Sequence, residues 1–212
     1  MADAVKTSSP TPRGDRARTT RRRIVLAARD LFLRDGYAAT TLQAIADAAG
    51  VAVQTVYFHF GNKRTVLRHV VDVAATGDDE PVPLLERPWV ARMRDAPDAA
   101  SALEVWAEVS QEIYERIVPV MRVVREAAGS DPDMDAQERT NRRQTLAAHG
   151  MLAAHLAERG ALRADLDETA AAEELFVLFG LDVHVLVTRE LGWSVDRWRA
   201  WAVATAVRTV LR

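Results

Sequence analysis

The chain is 212 residues long and 49% hydrophobic, enough for a sizeable core in one large domain or in one small and one larger domain. It has no cysteine, which excludes disulfides, thiolate nucleophiles and thiolate metal sites. A formal net charge of -2 conceals an asymmetry: residues 1–76 carry 12 Lys and Arg against 6 Asp and Glu, and residues 77–212 carry 16 against 24. A basic N-terminal quarter thus precedes an acidic body, as expected if one part meets a polyanion.

Residues 1–19 are rich in Pro, Ser, Thr and Arg with hardly any bulky apolar side chain, which predicts a disordered basic arm. They hold no apolar core of a secretory signal, and no uncharged run approaches a membrane span, so a cytoplasmic protein is expected. From Thr20 the pattern turns helical: Ile24, Ala27, Ala28, Leu31 and Phe32 form one stripe that ends at Asp35-Gly36. Thr40 and Gln43 have the spacing of a capping box for a second helix, in which Leu42, Ile45, Ala46 and Ala49 face inward before Gly50 stops it. A third helix, from about Ala52 to Phe60, buries Val56 and Phe60. Lys63 opens a fourth, with Val66, Leu67, Val70 and Val71 inward. Residues 20–76 therefore make a small helical domain.

Thr76 to Pro83 reads as a hinge, and residues 77–212 as a helical body. Its predicted elements are a short helix around Pro88 to Arg94, a long one from Asp98 to about Ala127 with a kink or break at Pro119, and one from Asp131-Pro132 to Arg159. A further helix is expected from Asp167 to about Leu191, then a last one after Gly192 to Ser194. The fold class is all-α: an N-terminal helix-turn-helix domain plus a larger C-terminal helical domain, with about nine helices in all.

Two short helices around Ala49-Gly50-Val51 suit a helix-turn-helix, in which the first braces the second and the outward side chains of the second reach base edges. With Val56 and Phe60 inward, Gln54, Thr55 and Phe58 fall on the opposite side of the third helix. Gln54 can pair with an adenine edge, and Val53 or Phe58 can lie on a thymine methyl. Thr55, Tyr57 and His59 can donate to phosphate oxygens, and Lys63 adds a cation at a helix start. Thr40 is a cap, a phosphate contact or both.

These residues resemble the TetR-type transcriptional regulators. The resemblance covers roughly Arg23 to Leu67, through Ile24, Ala28, Phe32, Gly36-Tyr37, Thr40, Ile45-Ala46, Ala49-Gly50-Val51, Thr55, Tyr57, His59-Phe60 and Lys63. It implies an all-helical homodimer that represses genes until a small molecule binds, with Thr55, Tyr57, His59 and Lys63 on phosphates and Val53, Gln54 and Phe58 at positions that vary with the operator. Ala52 departs from the pattern, standing where a capping Ser or Thr is frequent, and Gln54 stands where Gly is frequent.

In the body, Phe179, Leu186, Trp198, Trp201 and Val207 lie on helices apolar on more than one face, and are the candidate dimer interface. Trp106, Ser110, Tyr114 and Met121 share the broad face of one helix and are the candidate effector pocket. No metal or other cofactor is expected, because His149, His155 and His184 lack ligand spacing with carboxylates. The expected function is a repressor that binds a palindromic operator as a homodimer and is released by a small, largely apolar effector. Alternatives are a DNA-binding regulator without effector, whether activator or architectural, or an enzyme with a helical catalytic body. Against the last, no phosphate-cradling glycine loop, zinc-protease motif or paired nucleophile and base is found.

Overall fold

The structure is a computed structural model that describes residues 12–129 and 131–212. Helices dominate: α1 Pro12–Ala39, α2 Leu42–Ala49, α3 Val53–Phe60, α4 Lys63–Thr76, α5 Pro88–Arg94, α6 Ala99–Ala128, α7 Pro132–Glu158, α8 Glu168–Leu178, α9 Leu181–Val185 and α10 Val195–Thr209. The chain divides into two compact units, Met1–Val70 and Val71–Arg212, so the division falls inside α4 rather than in the 76–83 hinge region. The all-α class is as the sequence pattern implies.

Helix α1 begins at Pro12, eight residues before the start expected from the apolar stripe. Proline suits the first helical position because its missing N–H would be unpaired there anyway. The rest of the predicted disordered arm, residues 1–11, lies outside the described residues. Ile24, Ala28, Phe32, Ile45, Ala46, Val56, Phe60, Val66 and Leu67 are buried and form the core of the first unit. Gly36 breaks α1 at φ 80, ψ 168, a backbone region open essentially to glycine alone.

The capping-box expectation is corrected by one residue. Thr41, not Thr40, caps α2: its hydroxyl oxygen accepts from Ala44 N at 3.0 Å, a contact worth about 1 kcal/mol. Gln43 donates instead to Asp47 at 2.8 Å. Thr40 is buried and donates its hydroxyl to the Gly36 carbonyl at 2.8 Å, closing the turn behind the broken helix.

In the second unit, Trp198, Phe179, Leu103, Leu152, Leu156 and Leu175 are fully buried between α6, α7, α8 and α10. Helix α6 runs through Pro119 without the expected break; Pro119 sits at an exposed position, where water can replace the lost bond. The single helix expected from Asp167 to Leu191 is instead divided. α8 ends at Leu178, and after Gly180 α9 passes into one π-helical turn, Leu186–Glu190. Two features hold the break. A Cβ at Gly180 would lie 2.3 Å from the Phe176 carbonyl oxygen, and the Tyr114 hydroxyl donates to the Phe179 carbonyl that the helix gives up. The C-terminus is tied back by Arg163 N to Val210 O and Arg212 N to Ala161 O, each 3.0 Å.

Replacing Gly36 by Ala should destabilise the protein by about 1–3 kcal/mol through backbone strain alone, since nothing lies within 4 Å of the added carbon. Gly150→Ala, in the middle of α7 with equally open space, should instead stabilise by about 0.5–1 kcal/mol. Urea denaturation midpoints of the two variants should therefore move in opposite directions.

Candidate nucleic-acid interface

Helix α3 is eight residues long and amphipathic at helical period. Val56 and Phe60 fill the core, and the other face turns outward. Phe58 is 86% exposed and Tyr57 54%; Gln54 is exposed, and Val53, Thr55 and His59 are half-buried. The Phe58 phenyl ring, left almost wholly in water, adds nothing to the core of the folded chain. The reader positions and three of the phosphate positions thus share one short helix. As the sequence implies, Ala52 gives α3 no side-chain cap; its start is held by Thr55 N to Ala52 O at 2.9 Å.

Cations fix this helix in place. Arg23 donates to the carbonyls of Ala49 and Gly50, closing the end of α2 where the chain turns toward α3. Gly50 has φ 64, and a Cβ there would meet the Arg23 guanidinium at 3.0 Å. Arg21 donates to His69 Nε2 at 2.7 Å and lies over the Phe60 ring at 5.5 Å. The local sequence does not mark these contacts, because the carbonyl and imidazole partners are 26 to 48 residues away.

Lys63 and Thr40 stand differently from the other predicted contacts. The Lys63 ammonium donates to the carbonyls of Tyr37 at 2.7 Å and Thr40 at 2.8 Å, and lies 4.3 Å from the centre of the Tyr37 ring. It therefore secures the α1–α2 corner, and Thr40, 2% exposed, has its hydroxyl turned into the same corner. His59 has its pKa lowered, by burial first and then by the Arg21 charge. Both causes favour the neutral imidazole.

This geometry is matched by comparison with known proteins. The sequence model of the bacterial regulatory proteins of the tetR family fits residues 24–70, the stretch from the first buried residue of α1 into α4. Residues 24–70 are thus similar to the N-terminal domain of the tetR family. The HTH-type transcriptional regulator TtgR of Pseudomonas putida is 25% identical over 171 residues, covering 76% of this chain and 77% of TtgR. Among solved structures, NalD of Pseudomonas aeruginosa, described as the secondary repressor of the MexAB-OprM multidrug efflux pump, shares the fold. Its TM-score is 0.68 at 20% identity, over 92% of this chain and 98% of NalD. A Saccharomonospora viridis protein solved in complex with choline also has this fold, with TM-score 0.66 and 23% identity over 92% of this chain and 98% of that one.

In the body, the four predicted pocket residues all face the core: Trp106, Ser110, Tyr114 and Met121 are each less than 10% exposed. None of them lines the open cleft of about 500 Å3 on the other side of α6, whose walls include Leu84, Arg87, Trp89, Arg92, Ile113 and Arg116. Of the predicted dimer residues, Phe179 and Trp198 are corrected: both are 0% exposed within the single chain and have no surface to offer a partner. Their large rings pack inward because α8 and α10 meet α6 there. Leu186 is 45% exposed, and Trp201 and Val207 are half-buried. Val177 and Leu191, 57% and 60% exposed, join them as apolar surface that the sequence pattern did not single out. Among the described residues no helix is long and apolar enough to cross a membrane.

Buried histidine gives the body a pH dependence. His149 is lowered from its ordinary 6.5 to about 4 by burial, partly offset by its bond to the Thr145 carbonyl. The unfolded chain takes up this proton first on acidification, so stability is intact above pH 6.5 and falls as the pH drops from about 6.5 to about 4. Melting temperatures over that range should fall in the wild type and fall less steeply in His149→Phe.

Proposed function

We propose that the protein is a sequence-specific transcriptional repressor that binds a palindromic operator as a homodimer and is released by a small, largely apolar effector. The observation that carries the reading is the outer face of α3, where Gln54, Tyr57 and Phe58 stand exposed on a helix whose inner face is locked into a core. Val53, Gln54 and Phe58 read bases, and Thr55, Tyr57 and His59 hold phosphates. Lys63 acts at one remove, setting the corner on which α2 and α3 are mounted, and Thr40 supports that corner from inside. An enzyme reading has no paired nucleophile and base to rest on, and the relatives are regulators by name.

A palindrome needs two recognition helices about 34–36 Å apart, hence a two-fold dimer. Exposed Val177, Leu186 and Leu191 and half-buried Trp201 and Val207 supply apolar surface for it. An effector acts by favouring one spacing of the two helices over the other. Helix α6 offers a route: Arg116 donates from Nε to Ala74 O at 3.0 Å and from Nη2 to Ala75 O at 3.2 Å, gripping the last turn of α4. Because α4 is continuous from Lys63 to Thr76, a shift of α6 is passed along it. The choline complex of the Saccharomonospora viridis protein supports a small-molecule site in such a body.

Selection of genomic fragments on the purified protein should yield a two-fold symmetric site. On it, Gln54→Ala should change preference at one base pair, while Tyr57→Phe should weaken operator and random DNA alike. Equal losses on both for Gln54→Ala would remove it as a reader. For the dimer, Val177→Asp combined with Leu186→Glu should give a monomer in sedimentation and lose operator binding at least tenfold; an unchanged dimer would place the interface elsewhere.

A further inference from the structure

Trp89, Trp106, His149 and Phe176 form a run of edge-to-face rings across α5, α6, α7 and α8, with successive centroids 5.5, 5.1 and 5.7 Å apart. Within this run two polar atoms are fully buried without a hydrogen-bond partner, Trp106 Nε1 and His149 Nε2. Their residues are 5% and 2% exposed. Folded proteins seldom leave such atoms unserved, because each forfeits its bond to water.

The chemistry of the pair is fixed by its surroundings. His149 Nδ1 lies 2.8 Å from the Thr145 carbonyl oxygen, which can only accept, so Nδ1 carries the proton and Nε2 presents a lone pair. Burial keeps the ring neutral near pH 7. An indole N–H only donates. One donor and one acceptor, on adjacent packed rings, are the complement of a single group that both accepts and donates. A hydroxyl or a primary amide does so without charge. A carboxylate would set its oxygens against the His149 lone pair, and an ammonium would set its protons against the Trp106 N–H. Either ion would also lose its hydration in an aromatic surround.

A way in is visible. Trp89, whose ring packs on Trp106, is also a wall of the open cleft. Its one polar tether is the bond from Nε1 to Leu84 O, 3.0 Å. A molecule entering from the cleft reaches the buried pair only if that indole turns aside.

The geometry points to Trp106 and His149 as the polar anchor of a binding site for an uncharged, ring-bearing molecule with a hydroxyl or primary amide group, admitted from the cleft past Trp89. The identification of its occupant as the effector rests on the function proposed above; the site itself does not. Of the predicted pocket residues it retains Trp106 and adds His149, which the sequence showed only as a histidine without metal spacing.

Matched probes test it: benzyl alcohol and benzamide against toluene and benzoate. The readout is the indole N–H resonance of Trp106 in the full chain, assigned by its loss in Trp106→Phe. The alcohol and the amide should shift that resonance at roughly tenfold lower concentration than toluene, about one hydrogen bond's worth, and benzoate should not shift it. In His149→Phe the preference over toluene should vanish. Toluene binding as tightly as the alcohol, benzoate binding better than benzamide, or a resonance that no probe moves would overturn the site, the last leaving a trapped water as the partner of both atoms. The probe series on the unaltered protein decides even where His149→Phe fails to fold. Selective probe binding with unchanged operator affinity would overturn effector release and leave the site standing. Operator release by compounds that leave the Trp106 resonance unmoved would do the reverse.

Discussion

The corner from which α2 and α3 run depends on one ammonium group. Lys63 stands at the start of α4, yet it donates into the corner between α1 and α2, to the carbonyls of Tyr37 and Thr40. That corner exists because Gly36 takes a backbone conformation that ends the helical run of α1, and it leaves carbonyl oxygens pointing out of any helix. Unserved, they would be costly in a half-buried site. Charge-assisted bonds at 2.7 and 2.8 Å serve them and join the two ends of the helix-turn-helix segment, with α2 and α3 strung between. Thr40 adds its own bond from inside, Thr41 starts α2, and Arg23 closes the end of α2. A short, uncapped α3 is thus held chiefly by what surrounds it.

The body solves a related problem by a different device. A long apolar helix running from Asp167 to Leu191 would be the simplest element, but it could not turn both Phe179 and His184 into the core. Breaking at Gly180 allows this, and the Tyr114 hydroxyl takes the carbonyl released by the break. Tyr114 then sits between His184 at 5.0 Å and Trp198 at 5.9 Å. Burial in this cluster raises its pKa well above the ordinary range for tyrosine, so the phenol stays a donor at any physiological pH. One tyrosine on α6 therefore ties together the α8–α9 break and the last helix.

Legibility in the sequence followed the range of the interaction. Helix periods and the stop at Gly50 are local, and Val56 and Phe60 fell inward where a 3.6-residue period puts them. The exposed face of α3 was legible for the same reason. Thr40 and Thr41 are both plausible caps, and only the turn at Gly36 decides between them. The partners of Lys63, Arg23 and Arg21 lie more than 20 residues distant and leave no local mark. Phe179 and Trp198 were misjudged because an apolar residue reads the same whether its neighbour is in its own chain or in another. His149 was passed over because its meaning depends on Trp106 across the core.

The bonds that fix the cations also bear on the charge asymmetry between the two parts of the chain. A surface arginine paired with a carboxylate adds little to the field that a polyanion feels at a distance. Arg29 and Arg34 are of this kind, each bonded to the next residue, Asp30 and Asp35. Arg23 is bonded instead to carbonyl oxygens, and Arg21 to an imidazole whose pKa is lowered to about 4 by burial and by the charges of Arg21 and Arg68. Neutral partners hold a guanidinium in position without cancelling its charge. The N-terminal unit can therefore use its arginines twice, as struts for the helix-turn-helix and as the source of a positive potential around it. A histidine at position 69 suits this arrangement better than an acid would: it accepts from Arg21 and packs on Phe60, with ring centroids 5.4 Å apart, while the positive charge survives.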